Sequence, residues 1–281
     1  MKPYHFGFSE FTTWPWSFKR DVERYRSVGA DSIEICEFKL PHNDYGRYLD
    51  LLDGLTARSV QMNVHSVFVD SMANKPEDPA DRIRAMKNAI EMTALHVPPD
   101  TPFIVITGIA PDKNIRKARE KVVEALKELG EFAAERRMKI AFEPLSPVTV
   151  NTDTAVWSLE DGLELIERVN HPGVGICIDT WNVWQSRNVE QLIAQCGRRI
   201  FVVQLSDWRT PRSTADRYTL GDGEIPLASL IGAIRRTGYA GAWIVEILSS
   251  LHLEGSLWKS DLDAVLAANR DAFECLWRAS G

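Results

Sequence analysis

Cysteine is sparse in this 281-residue chain: Cys36, Cys177, Cys196 and Cys275 are widely spaced, form no CxxC pair and fall within apolar or amphipathic runs. That pattern points to reduced core thiols ahead of a disulfide frame or a thiolate zinc site. Long apolar runs are missing too. None approaches the roughly 18 residues of a membrane-spanning helix, and the opening MKPYHFGFSEF is too polar and too broken for a signal peptide, so the cytoplasm is the expected location and no membrane partner is expected. Positive charge is in deficit, with 33 Lys and Arg against 39 Asp and Glu, and the net charge of -6 argues against non-specific nucleic-acid binding. No GxGxxG follows the first apolar run, and GDGEIP (Gly221 to Pro226) lacks the GK[ST] of a phosphate loop, so it reads as a tight turn before a helix. Linkers rich in Pro and Ser, low-complexity tracts and internal repeats are absent, so residues 1–281 are expected to form one domain.

What is present is an alternation of short apolar runs with amphipathic segments from end to end, the signature of a mostly parallel sheet built from βα units. Strands are expected at Tyr4 to Phe8, Ser32 to Glu37, Gln61 to Ser66, Phe103 to Thr107, Lys139 to Glu143, Gly175 to Asp179, Ile200 to Leu205 and Ala242 to Ile247. Helices follow at Ser17 to Ser27, Tyr45 to Arg58, Pro79 to Leu95, Ile115 to Arg137, Leu159 to Val169, Val189 to Cys196, Leu227 to Thr237 and Leu262 to Trp277. The fourth helix spaces Ile115, Ala118, Val122, Leu126, Leu129 and Ala133 three or four apart, with charges between them. Eight such units predict an α/β fold, a (β/α)8 TIM barrel, and the length suits the roughly 250 residues typical of that fold. A doubly wound open sheet is the alternative, but nothing marks its dinucleotide crevice.

Four of the late strands end in oxygen ligands. KIAFEPL delivers Glu143, GICIDTW delivers Asp179, IFVVQLSDW delivers Gln204, and AWIVEIL delivers Glu246. In a barrel these ends face one space. Three carboxylates cannot share a water-poor pocket without raised pKa values or a cation, so a divalent metal is expected there. The set has no thiolate and no imidazole, which favours Mn²⁺ or Mg²⁺ over Zn²⁺. A structural ion pair accounts equally well for Glu143 or Glu246 taken alone, and less well for all four together. Asp207, just beyond its strand, reads as a turn acid.

The runs FEPL, IDTWN, VVQLSDWR, LGDGEIP and GYAGAWIVEI, in this order, resemble the sugar phosphate isomerase/epimerase superfamily of xylose isomerase-like barrels, which includes ketose 3-epimerases, hydroxypyruvate isomerase and inosose dehydratase. The resemblance is strongest from Lys139 onward. It implies a xylose isomerase-like barrel in which Glu143, Asp179, Gln204 and Glu246 hold the metal, Mn²⁺ first with Mg²⁺ or Co²⁺ behind it, and Glu143 and Glu246 act as acid and base. Two departures stand out: Gln204 where the third ligand is usually His, and Asn182 where the D-x-x-H pattern has its His. Both count against an endonuclease IV-like multi-zinc site and DNA repair. The resemblance also implies a rim histidine at His65, with His42 behind it, an Arg at Arg209 that holds a substrate oxygen, and a dimer or tetramer.

The expected activity is isomerisation or epimerisation of a small ketose by proton abstraction next to a metal-polarised carbonyl. A metal-dependent carbohydrate lyase is the alternative, and a metal-free sugar-binding barrel ranks lower. Glu34 points inward from the second strand as a hydroxyl ligand or a barrel ion pair, Asn182 offers a hydrogen bond to a sugar hydroxyl, and Trp14 and Trp181 offer flat walls for a sugar ring. Trp16, Trp184 and Trp208 cluster at strand ends with them. Arg212 and Arg217, in the long loop after the seventh strand, read as solvated loop charges ahead of any anchoring role.

Overall fold

The computed structural model describes residues 3–41, 44–52, 54–72, 75–150, 152–210 and 216–281; His42 and Arg212 lie outside these. Eight parallel strands close into a barrel in sequence order: β1 (His5–Ser9), β2 (Ser32–Cys36), β3 (Thr56–Ser66), β4 (Pro102–Ile106), β5 (Lys139–Phe142), β6 (Val174–Asp179), β7 (Ile200–Leu205) and β8 (Ala242–Val245), which pairs back onto β1. The helices between them are α1 (Phe18–Ser27), α2 (Tyr45–Leu49), α3 (Pro79–Ala94), α4 (Ile115–Glu135), α5 (Leu159–Val169), α6 (Thr180–Val183), α7 (Val189–Cys196), α8 (Leu227–Arg236) and α9 (Leu262–Ala279). The TIM-barrel expectation therefore holds.

Alternation along each strand divides the core. On β4 to β7, residues such as Phe103, Ile140, Phe142, Ile176, Ile178, Val203 and Leu205 join the large apolar layer between barrel and helices, while Ile104, Ala141, Cys177 and Val202 form a small cluster inside the barrel. Carrying that inward series two residues onward reaches Glu143, Asp179 and Gln204, and on β8 the same step from Ile244 reaches Glu246. The register agrees, since Asp179 pairs with Gln204 and Gln204 with Ile244. Strand period alone thus sends these side chains to the C-terminal mouth.

The helices form where their caps and apolar stripes say they should. Ser158 caps α5 by accepting from the Asp161 amide, Asn170 closes it in the left-handed region at φ 48°, and Leu159, Leu163, Leu165, Ile166 and Val169 are buried. Each such aliphatic side chain contributes about 1.5–3 kcal/mol by leaving water. The expected helix over Tyr45 to Arg58 is shorter in the structure. After α2 a single 3₁₀ turn spans Asp50–Leu52, Gly54 takes φ 79°, and β3 starts at Thr56, which pairs with Ser32. A left-handed glycine ends a helix, and sheet pairing then overrides the helical spacing of the residues that follow.

Candidate active site

The four strand-end residues meet at the C-terminal mouth, all buried. Their carboxylates are linked by donors that come from elsewhere. Asn182, on α6, donates through Nδ2 to Glu143 Oε1 at 2.9 Å and to Asp179 Oδ2 at 2.8 Å, and its Oδ1 accepts from the Ser146 amide at 3.0 Å. Asp179 caps α6, its Oδ1 accepting from the Trp181 amide at 3.0 Å. The amide of Asn182 is therefore spent on orienting two acids rather than held open for a sugar hydroxyl.

Arg217 supplies the main surprise. It is buried, and its guanidinium lies 2.8 Å from Asp179 Oδ2 and 2.7 Å from Glu246 Oε2, with a further bond of 3.2 Å to the Glu246 carbonyl. The expectation of a solvated loop charge is overturned. The loop between β7 and α8 folds back to deliver it: Asp207 pairs with Tyr218 as an isolated antiparallel bridge, and the Asp207 carboxylate accepts from the amides of Trp208, Gly221, Gly223 and Ile225. GDGEIP is thus the turn expected of it. Gly223 is required there, because a Cβ would sit 2.2 Å from the Trp208 carbonyl oxygen.

Gln204 faces the acids with its nitrogen. Nε2 donates to Glu34 Oε1 at 2.9 Å and to Glu246 Oε1 at 3.0 Å, while Oε1 accepts from the Cys177 thiol at 3.0 Å. Two carboxylates on one side and a thiol donor on the other fix the amide this way round. Ligation through Oε1, as the sequence reading expects, requires the amide to turn over. Glu34 lies inside the barrel beneath this layer and also accepts from Ser59 Oγ at 2.6 Å, so it is an interior hydrogen-bonding acid.

A cavity of about 170 Å³ opens beside the acids, walled by Glu143, Glu246, Asn182, Arg217, Trp181, Gln61 and Phe11, and farther out by His65, Asp70, Ser71, Met72 and Asp153. Glu143 Oε2 has no hydrogen-bond donor among the described residues, whereas both oxygens of Glu246 are engaged. His65 donates from Nδ1 to the Met62 carbonyl at 3.1 Å, which leaves Nε2 as the acceptor, 4.0 Å from Asp70 Oδ2. Asp153 ties the two outer loops together by accepting from the Ser71 amide at 2.9 Å. Trp14 does not reach this cavity; it stacks behind Phe11 at 5.4 Å and against Trp258. Arg209 is also outside the wall, bonded to Asp216 at 2.9 Å and lying over the Tyr218 ring.

Burial pushes Glu143 well above the usual carboxylate range, and the charges of Glu246 and Asp179 add to the rise. Burial likewise carries Asp179 and Glu246 up to about 7, although Arg217 pulls both back down. Arg217 itself is held protonated: burial opposes its charge, but Asp179, Glu246 and Glu143 outweigh that effect. His65 is lowered by burial, so it is neutral near pH 7. One guanidinium against three mutually repelling carboxylates leaves a negative excess that a divalent cation suits, and the donor set is all oxygen, so the residues fit such an ion in charge and chemistry. Arg217 stands among them, and among the described residues no group of three or more His, Cys, Asp and Glu is arranged to hold a metal as it stands.

Fold and site together define a (β/α)8 barrel with an acid-walled pocket at the C-terminal ends of its strands. The chain belongs to the xylose isomerase-like TIM barrel family, whose model matches residues 22–268. It is 30% identical over 138 residues to a 3-dehydroshikimate dehydratase of Pseudomonas putida, covering 46% of this chain and 20% of that one. It is 26% identical over 155 residues to an inosose isomerase of Halalkalibacterium halodurans, covering 52% of this chain and 53% of that one. These alignments thus span at most about half of either relative. Its fold matches that of the IolI protein with a bound zinc atom, with a TM-score of 0.78 at 20% identity over 96% of both chains. No helix among the described residues is long and apolar enough to cross a membrane.

Proposed function

We propose that the chain is a divalent-metal-dependent enzyme that removes a proton from the carbon beside the carbonyl of a small polyhydroxy ketone and returns it elsewhere, as an isomerase or epimerase. The observation that carries this reading is a cavity of about 170 Å³ lined by Glu143 and Glu246, with Asp179 tied to both through Asn182 and Arg217, into which Glu143 brings an oxygen with no donor among the described residues. Those three carboxylates, and Gln204 with its amide turned, would hold the ion, and Mn²⁺ suits the all-oxygen set ahead of Zn²⁺. When bound, the ion supplies a Lewis acid that polarises a carbonyl. The zinc described for the IolI structure and the hydroxyketones in the names of both relatives support the same reading.

The chain's own groups do the rest. Glu143 Oε2 takes the proton, because it is the oxygen of that carboxylate that faces the cavity without a donor among the described residues. Asn182 holds Oε1 and thereby fixes the direction of Oε2. Phe11 and Trp181 present flat walls to the apolar face of the substrate. His65, neutral and with Nε2 as acceptor, exchanges a proton with a substrate hydroxyl.

β-Elimination is the second reading, favoured by one observation. Both oxygens of Glu246 are committed to Arg217 and Gln204, so Glu143 and His65 form a one-carboxylate, one-imidazole pair suited to losing a hydroxyl. Proton NMR in D₂O with Mn²⁺-loaded, then Mg²⁺-exchanged protein distinguishes the two across a panel of inososes, ketohexoses and 3-dehydroshikimate. Deuterium at carbon with no group lost supports isomerisation, and a conjugated enone supports elimination. If neither appears for any member at saturating metal, proton abstraction at this site is wrong.

A further inference from the structure

The oxygens around the acids can be accounted for one by one. Asp179 Oδ1 is taken by the Trp181 amide; Oδ2 accepts from Asn182 at 2.8 Å and lies 2.8 Å from Arg217. Glu246 Oε1 accepts from Gln204 at 3.0 Å and Gln61 at 3.4 Å, and Oε2 accepts from Arg217 at 2.7 Å. Arg217 thus occupies one oxygen of each acid, Asp179 Oδ2 and Glu246 Oε2, so a cation drawn to both carboxylates meets the guanidinium there. A planar guanidinium bridges two carboxylates with separate N–H groups, a geometry that an ion at the same oxygens displaces.

Resting on the metal reading above and deepening it, we propose that Arg217 and a divalent cation compete for Asp179 Oδ2 and Glu246 Oε2, so that loading the ion releases the guanidinium from Asp179 and turns it toward the cavity as the positive group that meets a substrate oxygen. The backbone is built for a side-chain movement of this kind. The Arg217 amide donates to the Leu248 carbonyl at 2.9 Å, and the adjacent Tyr218 is paired with Asp207 in both directions, so the Cα stays fixed. The guanidinium already lines the cavity and lies 5.4 Å from the centre of the Trp181 ring, a face over which a cation can slide while keeping its attraction. The Glu246 carbonyl, 3.2 Å from the same nitrogen that holds Oε2, is an acceptor it can keep. Ion binding and substrate binding are then coupled in order: the ion first, the carbonyl-bearing substrate second.

The test separates competition from simple charge repulsion. Arg217→Lys keeps the charge but loses the fork, whereas Arg217→Met loses both. By titration calorimetry with Mg²⁺, competition predicts at least tenfold tighter binding to Arg217→Lys than to the wild type, the equivalent of one charge-assisted hydrogen bond no longer displaced. In wild-type protein with ¹⁵N-labelled arginine, the Arg217 Nε–H resonance, assigned by its loss in the variants, should shift along the same binding curve. Wild-type affinity in Arg217→Lys together with an unmoved Arg217 resonance overturns the competition while leaving metal binding intact. Absence of Mg²⁺ and Mn²⁺ binding to wild type and variants alike removes the metal reading and this inference with it.

Discussion

Replacing Glu10 with Gln is expected to stabilise the protein at alkaline pH, and the reason lies away from the pocket, in a buried cluster between β1 and α1. Glu10 and Asp21 are fully buried; Lys39 Nζ donates to Asp21 Oδ2 at 2.6 Å and to the Thr13 carbonyl at 2.8 Å, and Thr13 Oγ1 donates to Asp21 Oδ1 at 2.7 Å. Asp21 therefore has its donors and its counter-charge. Among the described residues the Glu10 side chain has one donor, the Cys36 amide at 2.8 Å on Oε2, and Oε1 has no partner. Only a proton on Glu10 satisfies that atom, by letting it donate to Asp21. Burial first, and the Asp21 charge second, accordingly hold the Glu10 carboxyl well above its ordinary value.

The sign follows from proton linkage. The native state binds a proton on Glu10 that the unfolded chain has released above its ordinary value near 4.5, so this group's contribution to stability is greatest below that pH and falls as pH rises. At pH 8 the alternative to retaining the proton is a buried acceptor left unpaired, which costs about 1–3 kcal/mol. Glu10→Gln keeps an oxygen for the Cys36 amide and offers Asp21 a permanent N–H. Urea unfolding from pH 4.5 to 8.5 should show the variant about 1–3 kcal/mol more stable at pH 8 and equal to wild type near pH 4.5. The pocket acids add a slope of the same sign, so the wild-type slope should be reduced and not abolished. A variant no more stable than wild type at pH 8 refutes the account of this cluster.

Glu143→Gln is expected to lower turnover by about 10²–10⁴-fold while calorimetry still detects the ion, since it removes the base and leaves Asp179 and Glu246 in place; turnover within threefold of wild type would assign the proton transfer elsewhere. Chelation of purified protein at pH 8 should lower its unfolding temperature and added Mn²⁺ restore it, because at that pH acids raised to about 7 have lost most of their protons and an ion bound only by the folded state relieves their mutual repulsion; an unfolding temperature indifferent to both counts against a bound ion. Asp207→Ala strips four backbone amides of their acceptor, so it should raise hydrogen exchange at Trp208, Gly221, Gly223 and Ile225 and weaken substrate binding through a misplaced Arg217, with loss of about 2–4 kcal/mol of stability; exchange unchanged at those amides would show the turn does not depend on it.

The barrel was legible because alternation works at a range of two residues. Ala141 and Glu143, or Cys177 and Asp179, share a face whatever else the chain does, and eight such runs leave few ways to close a sheet. Where two periods compete over a short stretch, as between Tyr45 and Arg58, local spacing gave way to pairing, and the informative residue was Gly54 rather than the apolar ones around it.

The pocket's polar links were less legible, because they depend on which group reaches a given atom first. Arg209 stands nearer to the end of β7 than Arg217 does, yet Asp216 claims it, and Arg217 arrives at the carboxylates only because Asp207 gathers four amides and folds the loop back. Trp14 sits at a strand end, but Phe11 occupies the wall in front of it. Asn182 falls three residues beyond Asp179, one turn of α6 away, a spacing that lets its amide reach Asp179 as well as Glu143 and could have been used to assign it to the acids. The charge balance carried the missing clue: three strand-end acids converging in a dry space require a cation, and a chain with no histidine among them must find part of it in an arginine whose position no local pattern marks. That arginine, held by the same oxygens a metal would use, is what makes the order of binding at this site a property of the chain as well as of the ion.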